Sequence, residues 1–148
     1  MPSSEDEVRT ASTRFYAALN RMANGDDSAM GAVWSQGPSV TSQHPGKGRQ
    51  VGWSQIQDSF HQFSLAVTAG QIRLEDQMIQ VAGDFAYELG VERGSCKLGG
   101  HPVLIDSRVT NIYRQESGEW KMVHHHSDVS ATMVEVMEQL MAKASASH

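Results

Sequence analysis

The residues that could do chemistry crowd near the end of the chain, in Trp120-Lys121-Met122-Val123-His124-His125-His126-Ser127-Asp128. Three imidazoles and a carboxylate this close together supply proton acceptors, proton donors and metal ligands. The run follows Ser107-Arg108-Val109-Thr110-Asn111-Ile112-Tyr113-Arg114 across Gln115-Glu116-Ser117-Gly118-Glu119. Two β-prone runs joined at a Ser-Gly pair predict a hairpin. Strand side chains alternate between faces. With Ser117-Gly118 as a two-residue turn, Tyr113 is opposite Met122, Asn111 opposite His124 and Val109 opposite His126. Trp120, Met122, His124, His126 and Asp128 then share a face with Asn111 and Tyr113. Lys121, Val123, His125 and Ser127 share the other. An apolar face carrying a few polar groups is how ligand pockets are lined.

Asp128 falls two residues after His126, where it could orient that ring, hold it as imidazolium or act as the base itself. The competing reading is a cap on the next turn. His124 and His126 could chelate zinc with Asp128 or Glu88 as a third ligand. However, His125 points the other way, and there is neither a Cys partner nor a His-Glu-x-x-His helix. Hydrogen-bonded or catalytic imidazoles are the better reading, with no metal and no cofactor expected. His44, before Pro45, ends a short strand, and an imidazole with an ordinary pKa near 6.5 can accept a proton at neutral pH. A solvated loop His is its alternative. Trp34, Trp53 and Phe60 read first as core, with some of them, together with Tyr113, Met122 and His124, lining a ligand pocket. Arg108 and Thr110 lie on the opposite hairpin face from His124 and His126, where Arg108 could pair with Glu88 or Glu92 across a dimer interface. Cys96 has no basic neighbours to activate it as a nucleophile.

The elements that must position these groups follow from periodicity. Val8, Ala11, Phe15, Ala18, Leu19 and Met22 recur at helical spacing up to Asn24, with Ser4 and Glu7 as a capping box. Ser28 to Trp34 reads as a short second helix, and Pro38 to His44 as a strand running into the basic, Gly-rich loop Pro45 to Gln50. Gly52 to Phe63 reads as a helix with Trp53, Ile56, Phe60 and Phe63 on one stripe. Strands follow at 69–75 and 78–81, flanking Asp76-Gln77, and then at 84–93. Gly94 to Gly100 reads as a loop or irregular hairpin. His101 to Arg114 and Glu119 to Asp128 are the last strands, and Met133 to Ala144 is an amphipathic helix. This order predicts a single α+β domain over 1–148, with loose ends at 1–7 and 145–148 and helices covering one face of a curved antiparallel sheet. The concave side of such a sheet is a cone-shaped cavity.

Composition limits the alternatives. The 148 residues suit one domain with a real core. A net charge of −5 favours neither nucleic acid nor an anionic membrane surface, and no apolar run approaches a membrane span. One cysteine cannot make an internal disulfide, which is the pattern of a cytoplasmic protein.

The sequence resembles SnoaL-like proteins of the nuclear transport factor 2 (NTF2-like) / ketosteroid isomerase superfamily from about Glu7 to Asp128. The most specific piece is Arg108 to Arg114 followed by Gly118 to Ser127. That hairpin is similar to those of calmodulin-dependent kinase II association domains and iota-class carbonic anhydrases. The resemblance implies a cone-shaped α+β barrel, homodimeric through the outer sheet face. It also implies two positions for chemistry. The isomerase's general-base carboxylate stands where this chain has His44, and its enolate-stabilising tyrosine stands near Tyr16. The expectation is a cofactor-free acid–base enzyme on a small apolar carbonyl compound. His44 or an Asp128–His126 pair would move the proton, and Asn111 and Tyr16 would stabilise the oxyanion. The alternatives are a non-catalytic ligand-binding or dimerisation module and, more weakly, carbonic-anhydrase-like hydration on the His124/His126 face.

Overall fold

A computed structural model describes residues 3–45, 48–127 and 131–146. Helix α1 (Ser4–Met22) opens with a capping box one residue earlier than expected: Ser3 Oγ accepts from the Asp6 amide, and Asp6 accepts from the Ser3 amide. Residues 4–7 are therefore helical, not a loose end. Helix α2 (Met30–Val33), strand β1 (Thr41–Gln43), strand β2 (Gln50–Val51) and helix α3 (Trp53–Ala66) follow. Strands β3 (Val67–Ala82), β4 (Phe85–Leu98), β5 (His101–Glu116) and β6 (Glu119–Ser127) form the body of the sheet, and helix α4 (Ala131–Ala146) closes the order.

The sheet is curved, open and six-stranded, in the order β2-β1-β6-β5-β4-β3. It is mixed, not wholly antiparallel, because β1 runs parallel to β6, with Ser42 opposite His125. The two strands expected around Asp76-Gln77 are one long strand with bulges after Thr68 and after Glu75. Ala69 and Asp76 take positive φ there. A bulge bends a strand without ending it, so the polar pair marks a bend. The expected loop after Gly94 is a continuation of β4, which turns at Gly99-Gly100, both at positive φ.

Helix α1 lies across the bent part of β3. The Asn20 side chain pairs with Ile72 like a short strand, donating to its carbonyl at 2.8 Å and accepting from its amide at 2.7 Å. Asn24 Nδ2 donates to the Gly70 carbonyl. These bonds occupy backbone groups that an edge strand would otherwise expose. The main core packs Phe15, Leu19, Met30, Trp34, Ile56 and Phe60 against Ile79, Tyr113 and Met122. A second cluster, Ala23, Val67, Cys96, Leu98, Val103 and Ile105, is covered by Val136 of α4. β3 and β4 approach so closely at the bends that a Cβ on Gly94 (φ +154°) would lie 1.7 Å from the Gln71 carbonyl oxygen. Gly94→Ala should therefore cost about 3 kcal/mol or more in urea unfolding. Gly37→Ala, with no neighbour within 4 Å, should change stability by less than roughly 0.5 kcal/mol.

Candidate functional site

The hairpin turn forms as expected. Ser117 and Gly118 both have positive φ, as a two-residue turn of the I′ kind needs, and Tyr113 pairs with Met122. Beyond that pair the register shifts. Ile112 is opposite His124, Asn111 opposite His125 and Thr110 opposite His126, so Val123 is an extra residue on β6. One inserted residue exchanges the faces of everything after it. His125 and Ser127 turn inward and are buried, while His126 is exposed on the outer face. The expected inward placement of His124 and His126 is thereby corrected. His124 bonds Thr41 Oγ1 at 2.6 Å, and its ring stands 6.2 Å from that of His126. Asp128 lies outside the described residues.

The concave side encloses a cavity of about 280 Å³. Phe60 and Phe63 of α3, Leu19 and Met22 of α1, and Ile72 and Ile105 of the sheet give it apolar walls. Met133, Met137, Leu140 and Met141 of α4 cover it. Its polar groups are His44, Ser59, Glu92, Ser107, His125 and Ser127. β1 carries Ser42 and then His44 toward this interior. His44 Nε2 bonds Ser42 Oγ at 2.8 Å, and the His44 and His125 ring centres are 5.1 Å apart.

Behind the cavity runs a buried polar network. Tyr16 Oη donates to Glu92 Oε2 at 2.9 Å and accepts from Asn111 Nδ2 at 3.1 Å. Asn111 Nδ2 also donates to Glu88 Oε1 at 2.9 Å, and Asn111 Oδ1 lies 2.6 Å from His125 Nδ1. Glu88 further accepts from Tyr113 Oη at 2.9 Å and from Gln77 Nε2 at 2.7 Å. Gln77 sits at the second β3 bulge, which brings its amide to Glu88 and to Ser12.

Burial dominates the electrostatics. It raises the Glu92 carboxyl from 4.5 to about 7, against the lowering effect of the Tyr16 hydrogen bond and with a smaller upward push from Glu88. Burial, then the Glu92 charge, raises the Tyr16 phenol far above its ordinary value. Burial, then the neighbouring His44, His124 and His126, holds His125 well below the ordinary imidazole range, so it is neutral at pH 7. His124 is lowered by burial and then by His126.

Of the residues singled out in the sequence, His44 and Phe60 line the cavity, and Tyr16 and Asn111 stand directly behind it. Trp34 and Trp53 pack on Phe60, with ring centres 5.8 and 6.5 Å away, and hold it in place without lining the cavity. Tyr113 and Met122 are core residues, fully buried. His124 and His126 lie outside. Glu88 and Glu92 point inward while Arg108 points outward, so the expected Arg108 ion pair with either of them does not form. No three His, Cys, Asp or Glu side chains among the described residues stand together as a metal set. Glu92 and His125 were the residues missed. The alternation Ala86, Glu88, Gly90, Glu92 carried the signal for Glu92, but Phe85, Tyr87, Leu89 and Val91 make the other face look like the core side.

Residues 8–132 match the SnoaL-like domain family, and the chain belongs to that family. Among curated proteins none matches it. The fold is similar to a candidate dehydratase of the NTF2-like family from Streptomyces avermitilis. That match has 25% identity and a TM-score of 0.76, and covers 88% of this chain and all of that one. It is also similar to a candidate calcium/calmodulin-dependent protein kinase type II association domain from Thiobacillus denitrificans. There the identity is 26% and the TM-score 0.63, over 82% and 94% of the two chains. A ketosteroid isomerase-like protein from Erwinia carotovora atroseptica shares the fold at 15% identity and a TM-score of 0.68, over 86% and 97%. No helix among the described residues is long and apolar enough to cross a membrane.

The raised Glu92 value has a direction for stability. The folded state holds this proton more tightly than the unfolded chain, so the favourable contribution is complete below about pH 4.5 and is lost as pH rises through 7. Glu92→Gln lacks the titration. Its stability relative to wild type should rise by about 3 kcal/mol between pH 4.5 and pH 8 in urea unfolding. A constant difference would show that Glu92 titrates alike in both states.

Proposed function

We propose that this SnoaL-like chain is a cofactor-free acid–base enzyme of the isomerase or dehydratase type. Its substrate is a small, largely apolar carbonyl compound held in the cavity. The observation that carries the reading is one apolar pocket whose lining includes a carboxyl group and two imidazoles, Glu92, His125 and His44. A carboxyl titrating near 7 is matched to proton transfer at neutral pH. His125, neutral and linked to Glu92 through Tyr16 and Asn111, supplies a second group of different proton affinity, and groups driven apart in this way divide acid and base roles. Tyr16 holds Glu92 in place, and Asn111 holds His125. His44 stands near enough to His125 to contact the same substrate. The proton-moving role first sought in an Asp128–His126 pair passes to Glu92 and His125, since His126 faces away.

The open cavity favours an occupant over a pocket filled by its own side chains. A hydration site built on His124 and His126 loses support, because both rings lie on the outer face. That face carries Met78 and Tyr87, each nearly half exposed, beside Leu89, Val91 and Ile112. Isolated apolar residues are ordinary on a surface, but contiguous ones mark contact sites. The likeness to an association domain supports self-association, and we place a homodimer on this face.

The enzymatic reading is tested with β,γ-unsaturated ketones for isomerisation and β-hydroxy ketones for dehydration. Glu92→Gln and His125→Ala should each lower kcat/KM by about 100-fold or more, while His126→Ala leaves turnover near wild type. Equal losses in His126→Ala would move the site to the outer face. The assembly is checked by light scattering at micromolar protein. Twice the chain mass is expected, falling to the chain mass in Tyr87→Glu, and a wild-type monomer would overturn it.

A further inference from the structure

We propose that Glu88, which does not line the cavity, decides which nitrogen of His125 carries the proton, by fixing the orientation of the Asn111 side-chain amide. The cavity is thereby presented with an imidazole acceptor at Nε2. The inference rests on the acid–base reading for its use in catalysis, but not for its geometry.

The argument follows the donors. Glu88 is fully buried, and its partners are Asn111 Nδ2, Tyr113 Oη and Gln77 Nε2. Three side-chain donors converge on its two oxygens, which act as acceptors at each contact. The end of Asn111 that lies 2.9 Å from Glu88 must therefore be its NH2. The opposite orientation would set two acceptor oxygens against each other in the buried interior, where an unmade bond costs its full desolvation. The same NH2 gives its second hydrogen to Tyr16 Oη, whose own hydrogen goes to Glu92. Both hydrogens of Asn111 are used, and Oδ1 is left facing His125 Nδ1 at 2.6 Å. Oδ1 can only accept, so Nδ1 must donate. A neutral imidazole has one N–H, and with it at Nδ1 the lone pair lies at Nε2. Burial keeps the ring neutral, so the choice is between tautomers and not between charge states. Glu88 and Asn111 are positioning residues, acting on substrate only through His125.

The tautomer can be read without any substrate. In protein labelled with 15N-histidine, long-range proton–nitrogen correlation at neutral pH separates the two nitrogens of each ring, and His125→Gln identifies the signals by their loss. Wild type should show His125 protonated at Nδ1 alone. Protonation at Nε2 would overturn the proposal at once, whatever the variants do. Glu88→Gln keeps the shape but adds a donor that can face Asn111 and let its amide flip. The Nε2–H form should then rise to a population comparable with Nδ1–H, in a protein whose backbone amide spectrum shows it folded. Glu116→Gln, at the end of β5 and outside this network, should leave the single tautomer unchanged. An Nδ1–H form still alone in Glu88→Gln would remove Glu88 from the assignment. A switched tautomer with unchanged turnover would confirm the assignment and sink the acid–base reading by itself.

Discussion

Two carboxyl groups four residues apart on β4, both shut away from water, set the terms for the interior. A buried carboxyl is tolerated only when hydrogen-bond donors replace the water it has lost. Glu88 receives three such donors, from β3, β5 and again β5. Glu92 receives one, from α1. The difference in supply becomes a difference in behaviour. Glu88 is gripped by three side chains and orients its neighbours, whereas burial raises the carboxyl of Glu92 to about 7. The bulge in β3 that brings Gln77 to Glu88 and the placement of Tyr16 on α1 both follow from this requirement. So does the identity of Asn111, since no other side chain of its length offers two donors to one side and an acceptor to the other.

Much of this was legible in the sequence, and the parts that were not have definite causes. Periodicity found α1, α3 and α4, and the Ser117-Gly118 pair found the turn and the Tyr113–Met122 pairing. Tyr16, Asn111, His44 and Phe60 were singled out and do gather at one place. The histidines came out reversed because alternation was carried through Val123, where the chain inserts a bulge that no Gly, Pro or polar residue announces. The bulge lies where the sheet gains a tertiary partner. β1 docks in parallel on β6 at His124 to His126, and strand alternation cannot register a partner so distant in sequence. Glu92 was passed over for a related reason. The outer face of β4 is richer in apolar residues than the inner one, so composition left open which side of the strand faces the core. The wholly antiparallel sheet failed at the same β1–β6 contact. The bends at Asp76 and Gly94 looked like chain breaks because residues that permit a loop also permit a bulge.

The cavity has walls of two unlike kinds, and that bears on what shapes it could be made to accept. Its sheet wall is crowded: β3 and β4 touch where Gly90 and Gly94 pass, and a side chain added at either glycine would meet main-chain atoms. Glu92 and His125 there belong to one hydrogen-bonded set, so they tolerate substitution singly poorly. The α4 wall is three methionines and a leucine on one helix, unbranched or lightly branched chains that repack around new shapes at little cost. Variation is therefore channelled. On the proposed acid–base reading, changes in ligand size and outline would be absorbed by the last helix, while the groups that would move protons stay in register. A directed library meant to widen the accepted ligands would randomise 133, 137, 140 and 141 and leave the strands untouched.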